Sequence, residues 1–337
     1  MPQHFLLSSR ARTLSLATVF RLTDGEAESA FRKIRWADTA GEPVCPSCDS
    51  PKAYDCRRPN GASRFRCRGC LRDFSVTSGT LFASLKLPLR IYLAAIAIFA
   101  NEHRGKSMLA MSRDLGISYK AAFVLCHKMR EAMGDGLRGR LVGGEGRTVE
   151  IDGAYFGGYI KPSNIRKKRI DRRLTLNLNG KRKAVVIVRE RDGISLPAVF
   201  KNEGRAARFL MSRVRHGTII YADDAAAWDP LHAMFIVKRI NHQEAYSLNG
   251  VCTNGAEGYF SRLRRTEAAH GHISGPYLLR YAQEAAFRED KRRVSNGELT
   301  SGIIAAAMSA GPSIDFGGYW QRRKVVQRDD FTTRFAH

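Results

Sequence analysis

Arg147-Thr148-Val149-Glu150-Ile151-Asp152 reads as a β-strand that runs into an acid, and 217–223 repeats the arrangement with Asp223 at its end. Short apolar or alternating runs bounded by turn residues mark strands. Between these two, 184–188 and 195–200 predict further strands, and 203–214 predicts a helix. Beyond them, 235–240 gives a fifth strand, and the helical period returns over 254–267 and 275–292.

Three strands, a helix, a strand, a helix, a strand and then helices is the element order of an RNase H-like mixed sheet with flanking helices, an α+β or α/β class. Its acids fall at chemically useful places. Asp152 and Asp223 close the first and fourth strands, and Glu257 follows after 33 intervening residues, near the start of a helix. On that helix Glu257, Phe260 and Arg264 share a face. Carboxylates converging from two strands and a helix form an oxygen-rich site suited to two Mg²⁺ or Mn²⁺ ions and to in-line phosphoryl transfer. Each acid also has a structural explanation. Asp152 precedes Gly153 and could open a turn. Asp223 has Asp224 beside it, either of which could cap the next helix. Glu257 could serve the helix macrodipole.

Working outward, charge sets the partner. Fifty-six Lys and Arg face thirty-two Asp and Glu in 337 residues, a formal +24. That excess predicts binding to double-stranded DNA through its phosphates. The 161–183 segment, with Lys167 and Lys168, concentrates it. The apolar stretch 91–100 is about half the length of a membrane span and predicts a buried helix. Phe5-Leu6-Leu7 is too short for an export signal. No membrane partner is expected, and the compartment expected is the cytoplasm, next to the nucleoid.

Toward the N-terminus, Cys45-Pro46-Ser47-Cys48 and Cys67-Arg68-Gly69-Cys70 are paired C-x-x-C knuckles separated by 18 residues. Two such turns present four thiolates to one structural zinc, as in a zinc ribbon, with 64–66 as the strand entering the second knuckle. Arg57, Arg58, Arg64, Arg66, Arg68 and Arg72 give the ribbon a cationic face. Residues 24–37 predict a helix before it and 87–134 predict three helices after it. Within the latter, Gly116 and Ser118 separate a helical pair resembling a helix-turn-helix, with Leu109, Leu115, Ala122 and Leu125 inside. Tyr119, Lys120, His127 and Lys128 are its candidate DNA contacts. The domains expected are a helical segment at 1–40, the ribbon at 41–84, the helix-turn-helix-like region at 85–140, the catalytic domain at 146–293 and a tail at 294–337.

Taken together, these motifs resemble those of insertion-sequence transposases with an N-terminal zinc ribbon and a DDE-type, integrase-like catalytic domain. The resemblance rests on Arg35-Trp36 ahead of the ribbon, 149–158, 221–224, Asn241-His242, 253–265 and 281–288. It implies a cut-and-rejoin DNA transposase with Asp152 and Asp223 as the first two magnesium ligands. The family varies between Asn and Glu at the third ligand, where this chain has Asn254 and Glu257; the charged oxygen of Glu257 is the better donor to Mg²⁺. Arg264 stands where the family often has a DNA-touching Lys, and Arg265 follows it. His242, His270 and His272 are candidates for the rim. Pairing two transposon ends and capturing target DNA implies a homo-oligomer on DNA. The competing functions are a catalytically inactive zinc-ribbon regulator and an RNase H-like nuclease without strand transfer.

Overall fold

The computed structural model describes residues 4–57, 61, 63–84, 86–158, 165–168, 182–191, 193–240, 252–313, 315–317 and 319. The chain divides into two compact units. One runs to Gly136 and resumes at Lys291; the other is Leu137–Asp290.

The first unit opens with α1 (Leu16–Arg21) and α2 (Asp24–Arg35). Thr23 and Glu26 cap α2 reciprocally, side chain to backbone in both directions, which fixes where the helix starts. Strands β1 (Ala53–Asp55), β2 (Phe65–Cys67) and β3 (Asp73–Phe74) form a small antiparallel sheet in the order β1-β2-β3. Trp36 packs edge-on against Phe65 and Phe74, with centroids 6.0 and 6.4 Å away. Beside it, Arg35 donates to the carbonyls of Ser75, Val76 and Ser78 at 3.2, 2.6 and 2.7 Å. One guanidinium thus binds three loop carbonyls at once. Arg35→Ala should cost about 2–4 kcal/mol of stability, read as a shifted urea midpoint of the zinc-loaded protein.

Helix α3 (Leu89–Asn101) is buried from Leu93 to Ala100, so the apolar stretch is a core helix as its length predicted. Among the described residues no helix is long and apolar enough to cross a membrane. Next come α4 (Met108–Leu115) and α5 (Tyr119–Asp135). Gly116 closes α4 at φ 63°, a left-handed turn that suits glycine, and the Ser118 hydroxyl caps α5 by accepting from the Ala121 N–H at 3.2 Å. Two expectations fail here. Leu109 lies on the surface at 49% exposure. His127 is buried at 1% and stacks on Phe316, so it is not a DNA contact. Ala122 and Leu125 are buried at 0% and 2%, as expected, and α9 (Asn296–Ser309), the helical part of the expected tail, packs on α2, α3 and α5.

The second unit contains a five-stranded sheet in the order β6-β5-β4-β7-β8, built from β4 (Thr148–Gly157), β5 (Arg182–Glu190), β6 (Ser195–Phe200), β7 (Ile219–Asp223) and β8 (Ile236–Ile240). The first three strands form an antiparallel meander; β7 and β8 join parallel to β4. This is the RNase H-like mixed sheet. Ala184–Val188 is buried without a break because helices cover both faces. On one face Val149, Ile151, Ile220 and Ala222 pack with Phe209 and Leu210 of α6 (Ala207–Arg213) and with Trp228. On the other face lie α7 (Asn254–Ala269) and α8 (Leu278–Asp290), where Phe156 stacks on Phe260 at 6.1 Å.

Several boundaries differ from expectation. Strand β4 continues five residues past Asp152, because β5 pairs with it as far as Gly157. Asp152-Gly153 is therefore strand and not turn. The helix expected over 203–214 is a single tight turn at Glu203–Arg205 followed by α6. Between β7 and β8 the chain forms only a 3₁₀ segment, Ala226–Ala233, with Pro230 inside it.

Candidate active site and metal centre

The acids are brought together by register. The parallel pairing of β4 and β7 ends at Ile151 beside Ala222, so the next residues along, Asp152 and Asp223, are neighbours on adjacent strands. Adjacent strands lie about 4.8 Å apart. Both acids sit just past the last β4–β7 pair, Asp223 at the carboxyl end of β7 and Asp152 midway along β4, which runs on against β5. Glu257 occupies the first turn of α7 and is half-buried, while Asn254 begins that helix and is exposed.

Burial and like charge both act on Asp152. Its carboxyl is pushed up to about 7, chiefly by burial and further by Asp223, Glu257 and Glu203, although the Gly153 N–H bonds it at 2.7 Å and pulls the other way. Asp223 is held by the indole N–H of buried Trp228 and, at 3.4 Å, by the Ala225 N–H. Its neighbour Asp224 is exposed. Asp223, not Asp224, therefore shares the field of Asp152.

Glu203 is a fourth carboxylate that the sequence did not single out. It sits on the turn after β6, and its oxygen lies 2.7 Å from where a Cβ on Gly153 would be. Desolvation raises its proton affinity, with Asp223 adding to the effect. The only sequence signal for it was an acid shortly after the third strand.

Among the described residues, three or more His, Cys, Asp or Glu ligand atoms lie within 4.8 Å of one another only at Cys45, Cys48, Cys67 and Cys70. The carboxylates are thus close enough to feel one another but more widely spaced than the sulfurs. In the ribbon, Cys45 and Cys70 Sγ are 3.6 Å apart and Cys48 and Cys67 Sγ 3.5 Å. A tetrahedron with zinc–sulfur bonds of about 2.3 Å has edges of about 3.8 Å, so the quartet fits a structural zinc. The Cys70 and Gly69 amides donate to Cys67 Sγ at 3.5 and 3.3 Å and hold that thiol down at about 6. Its ordinary value is near 9.0, so the amides favour a thiolate at Cys67, while the facing sulfurs keep the proton on Cys48, pushed up to about 12.

The cationic candidates are scattered. In the ribbon, Arg57 pairs with Glu28 and Asp55, and Arg64 pairs with Asp73. Arg68 lies over the Tyr54 ring at 4.3 Å, while Arg66 and Arg72 are exposed. On α5, Lys120 is exposed with its ammonium 5.6 Å above the Tyr319 ring. Lys128 is half-buried, and desolvation lowers its proton affinity. Arg264 and Arg265 are exposed on α7, and Lys167 and Lys168 are exposed on a short turn. His270 sits edge-on to Tyr281 at 5.0 Å and His272 is exposed. Asn241, His242, Arg58 and most of 161–183 lie outside the described residues.

Two families match this chain. Residues 22–73 match the transposase zinc-ribbon domain. Residues 141–290 match the ISXO2-like transposase domain, which spans the whole sheet and both helices around the acids. A Halobacterium salinarum protein described as an uncharacterized protein in transposable element ISH50 is 24% identical over 297 residues. That alignment covers 85% of this chain and 98% of the relative.

Proposed function

We propose that this chain, which matches a transposase zinc-ribbon domain and an ISXO2-like transposase domain, is an insertion-sequence transposase that binds its element's ends and cuts and joins DNA strands at Asp152, Asp223 and Glu257. The observation that carries this reading is the placement of Asp152 beside Asp223, just past the last pair of the parallel strands β4 and β7, within the field of Glu257. Acids gathered in a half-buried place repel one another and need a counter-charge. Their hard oxygens suit Mg²⁺ or Mn²⁺ and suit soft metals poorly. Asp152, Asp223 and Glu257 would hold the ions, with the amide of Asn254 as the weaker alternative to Glu257.

Two such ions, when bound, activate the attacking water or 3′-hydroxyl and stabilise the leaving oxygen. The chain's own residues set the geometry around them. Trp228 fixes one oxygen of Asp223, and the Gly153 amide fixes one of Asp152. Arg264 and Arg265 face solvent on the helix that carries Glu257, where they can hold a phosphodiester. Lys167 and Lys168 offer further phosphate contacts, and the ribbon with Lys120 and Lys128 would grip the element's ends. The five segments expected from the sequence then become an entry helix, ribbon, helix-turn-helix, catalytic domain and tail, with at least two copies assembling on paired DNA ends.

The test is incubation of the purified protein with its element's terminal DNA and Mg²⁺ or Mn²⁺, following a labelled 3′-OH end. Nicking followed by joining to a target is the expected result. Absence of nicking would overturn the reading, and nicking without joining would favour a nuclease. Trp228→Phe keeps a buried ring and removes its N–H. It should lower metal-dependent nicking about tenfold while leaving the fold intact, since groups that orient metal-binding carboxylates typically act at that level. Unchanged nicking at limiting Mg²⁺ would show that the indole has no such role.

A further inference from the structure

Two residues before Asp152 on β4, and on the same face of the strand, Glu150 is buried at 4% exposure. A buried carboxylate is costly unless each oxygen is bonded, and both are. Glu150 Oε2 accepts from the Ala256 N–H at 3.1 Å, and Oε1 accepts from Arg191 Nε at 3.2 Å. Ala256 is in the first turn of α7, whose N–H groups have no partner within the helix. The acceptor for this one comes from a strand more than a hundred residues away, as an anion at the positive end of the helix dipole.

The fit is close. A Cβ on Gly255 would lie 2.7 Å from Glu150 Oε2 and 3.2 Å from Arg189 Cδ and Nε. Arg189 donates to the Gly255 carbonyl at 2.9 Å and to Glu289 on α8 at 3.1 Å. Glu289 in turn holds Arg262, two turns along α7, at 2.7 Å. Strand β5, the start of α7 and α8 are therefore clamped through Arg189, while β4 reaches the same helix start through Glu150. Glu257 follows Ala256 directly, and Asp152 lies on the strand that supplies the cap.

We infer that Glu150 is a positioning residue: it anchors the start of α7 and thereby sets Glu257 against Asp152. This rests on the metal-site reading above. Its sequence signature is an acid two residues before the first strand acid, paired with a glycine two residues before the helix acid.

The experiment measures Mn²⁺ binding to the full-length, zinc-loaded protein by calorimetry, with circular dichroism and zinc content as controls of the fold. Glu150→Ala should weaken Mn²⁺ binding about tenfold or more. Glu150→Gln, which keeps an acceptor for the Ala256 amide, should recover part of that loss. Gly255→Ala is the decisive variant and serves if Glu150→Ala does not fold. Alanine is the better helix former, so a role confined to helix stability predicts a firmer helix and unchanged Mn²⁺ affinity. Positioning by Glu150 predicts weaker binding, because the new methyl displaces the carboxylate. Wild-type affinity in Gly255→Ala, or in a folded Glu150→Ala, would overturn the inference while leaving the metal site standing. Wild-type protein that binds no Mn²⁺ would overturn the metal-site reading and this inference together.

Discussion

If the proposed function holds, Asp152→Asn is expected to abolish strand cleavage and, in metal-free protein, to make the second unit more stable at pH 8. Both effects have one cause. The Asp152 carboxyl is raised to about 7 in the folded chain, first by burial and then by Asp223, Glu257 and Glu203. In an unfolded chain it titrates near ~3.9. Between those values the folded state binds the extra proton, so the stability it contributes is present below about pH 4 and is lost as pH rises through about 7. Removing the charge should return about 2–4 kcal/mol at pH 8, an order-of-magnitude figure from the size of the displacement. For a unit of this length that is a rise of roughly 5–10 °C in Tm. Adding Mg²⁺ should invert the ranking, since ligand binding stabilises only the chain that can bind it. Thermal melts from pH 5 to 8.5, with and without Mg²⁺, check this. A wild-type Tm that ignores pH across that range, or a variant that still cleaves DNA, would contradict it.

The legible part of the site was its strand acids. An apolar run ending in Asp is a local pattern, and two such runs in parallel register are enough to make their acids neighbours. What escaped depends on partners far away in the chain. Asp152-Gly153 has the composition of a turn, but β5 continues to pair with β4 beyond it and keeps it extended. Glu203 approaches the site only because Gly153 has no side chain to exclude it. Glu150 looked like one residue of an alternating strand; its partner, the Ala256 amide, is 106 residues away. The same applies to the helical pair. Its turn and cap were readable from Gly116 and Ser118, and Ala122 and Leu125 face inward as their spacing suggested, whereas the exposure of Leu109 and the burial of His127 were not readable. Helical spacing defines faces but not which residues a distant segment will cover, as Phe316 covers His127. Arg35-Trp36 was recognisable as a motif, but its work, binding three loop carbonyls and packing against two rings, depends on residues further along the chain.

Removal of zinc should unfold the ribbon and leave the second unit, Leu137–Asp290, folded. The ribbon's three strands have only three, three and two residues. Its aromatic core is Trp36, Phe65 and Phe74. Burying three aromatic side chains contributes roughly 5–9 kcal/mol, while ordering some forty residues costs several times that in chain entropy. Structural zinc in small modules contributes on the order of 10 kcal/mol or more, which exceeds what that aromatic core supplies. Arg35 cannot substitute for it, because its carbonyl partners lie in the loop at 75–78 and not in the knuckles. A strong chelator, or Cys67→Ser, should therefore expose Trp36, seen as a red shift in its fluorescence, and open the segment around 45–70 to proteolysis. The buried Trp228 in the other unit should keep its environment, provided the chelator is present without added Mg²⁺ in both samples. Retention of the Trp36 signal and of protease resistance after verified zinc loss would show that the ribbon stands on its own apolar contacts, and the metal would then have to be assigned another role.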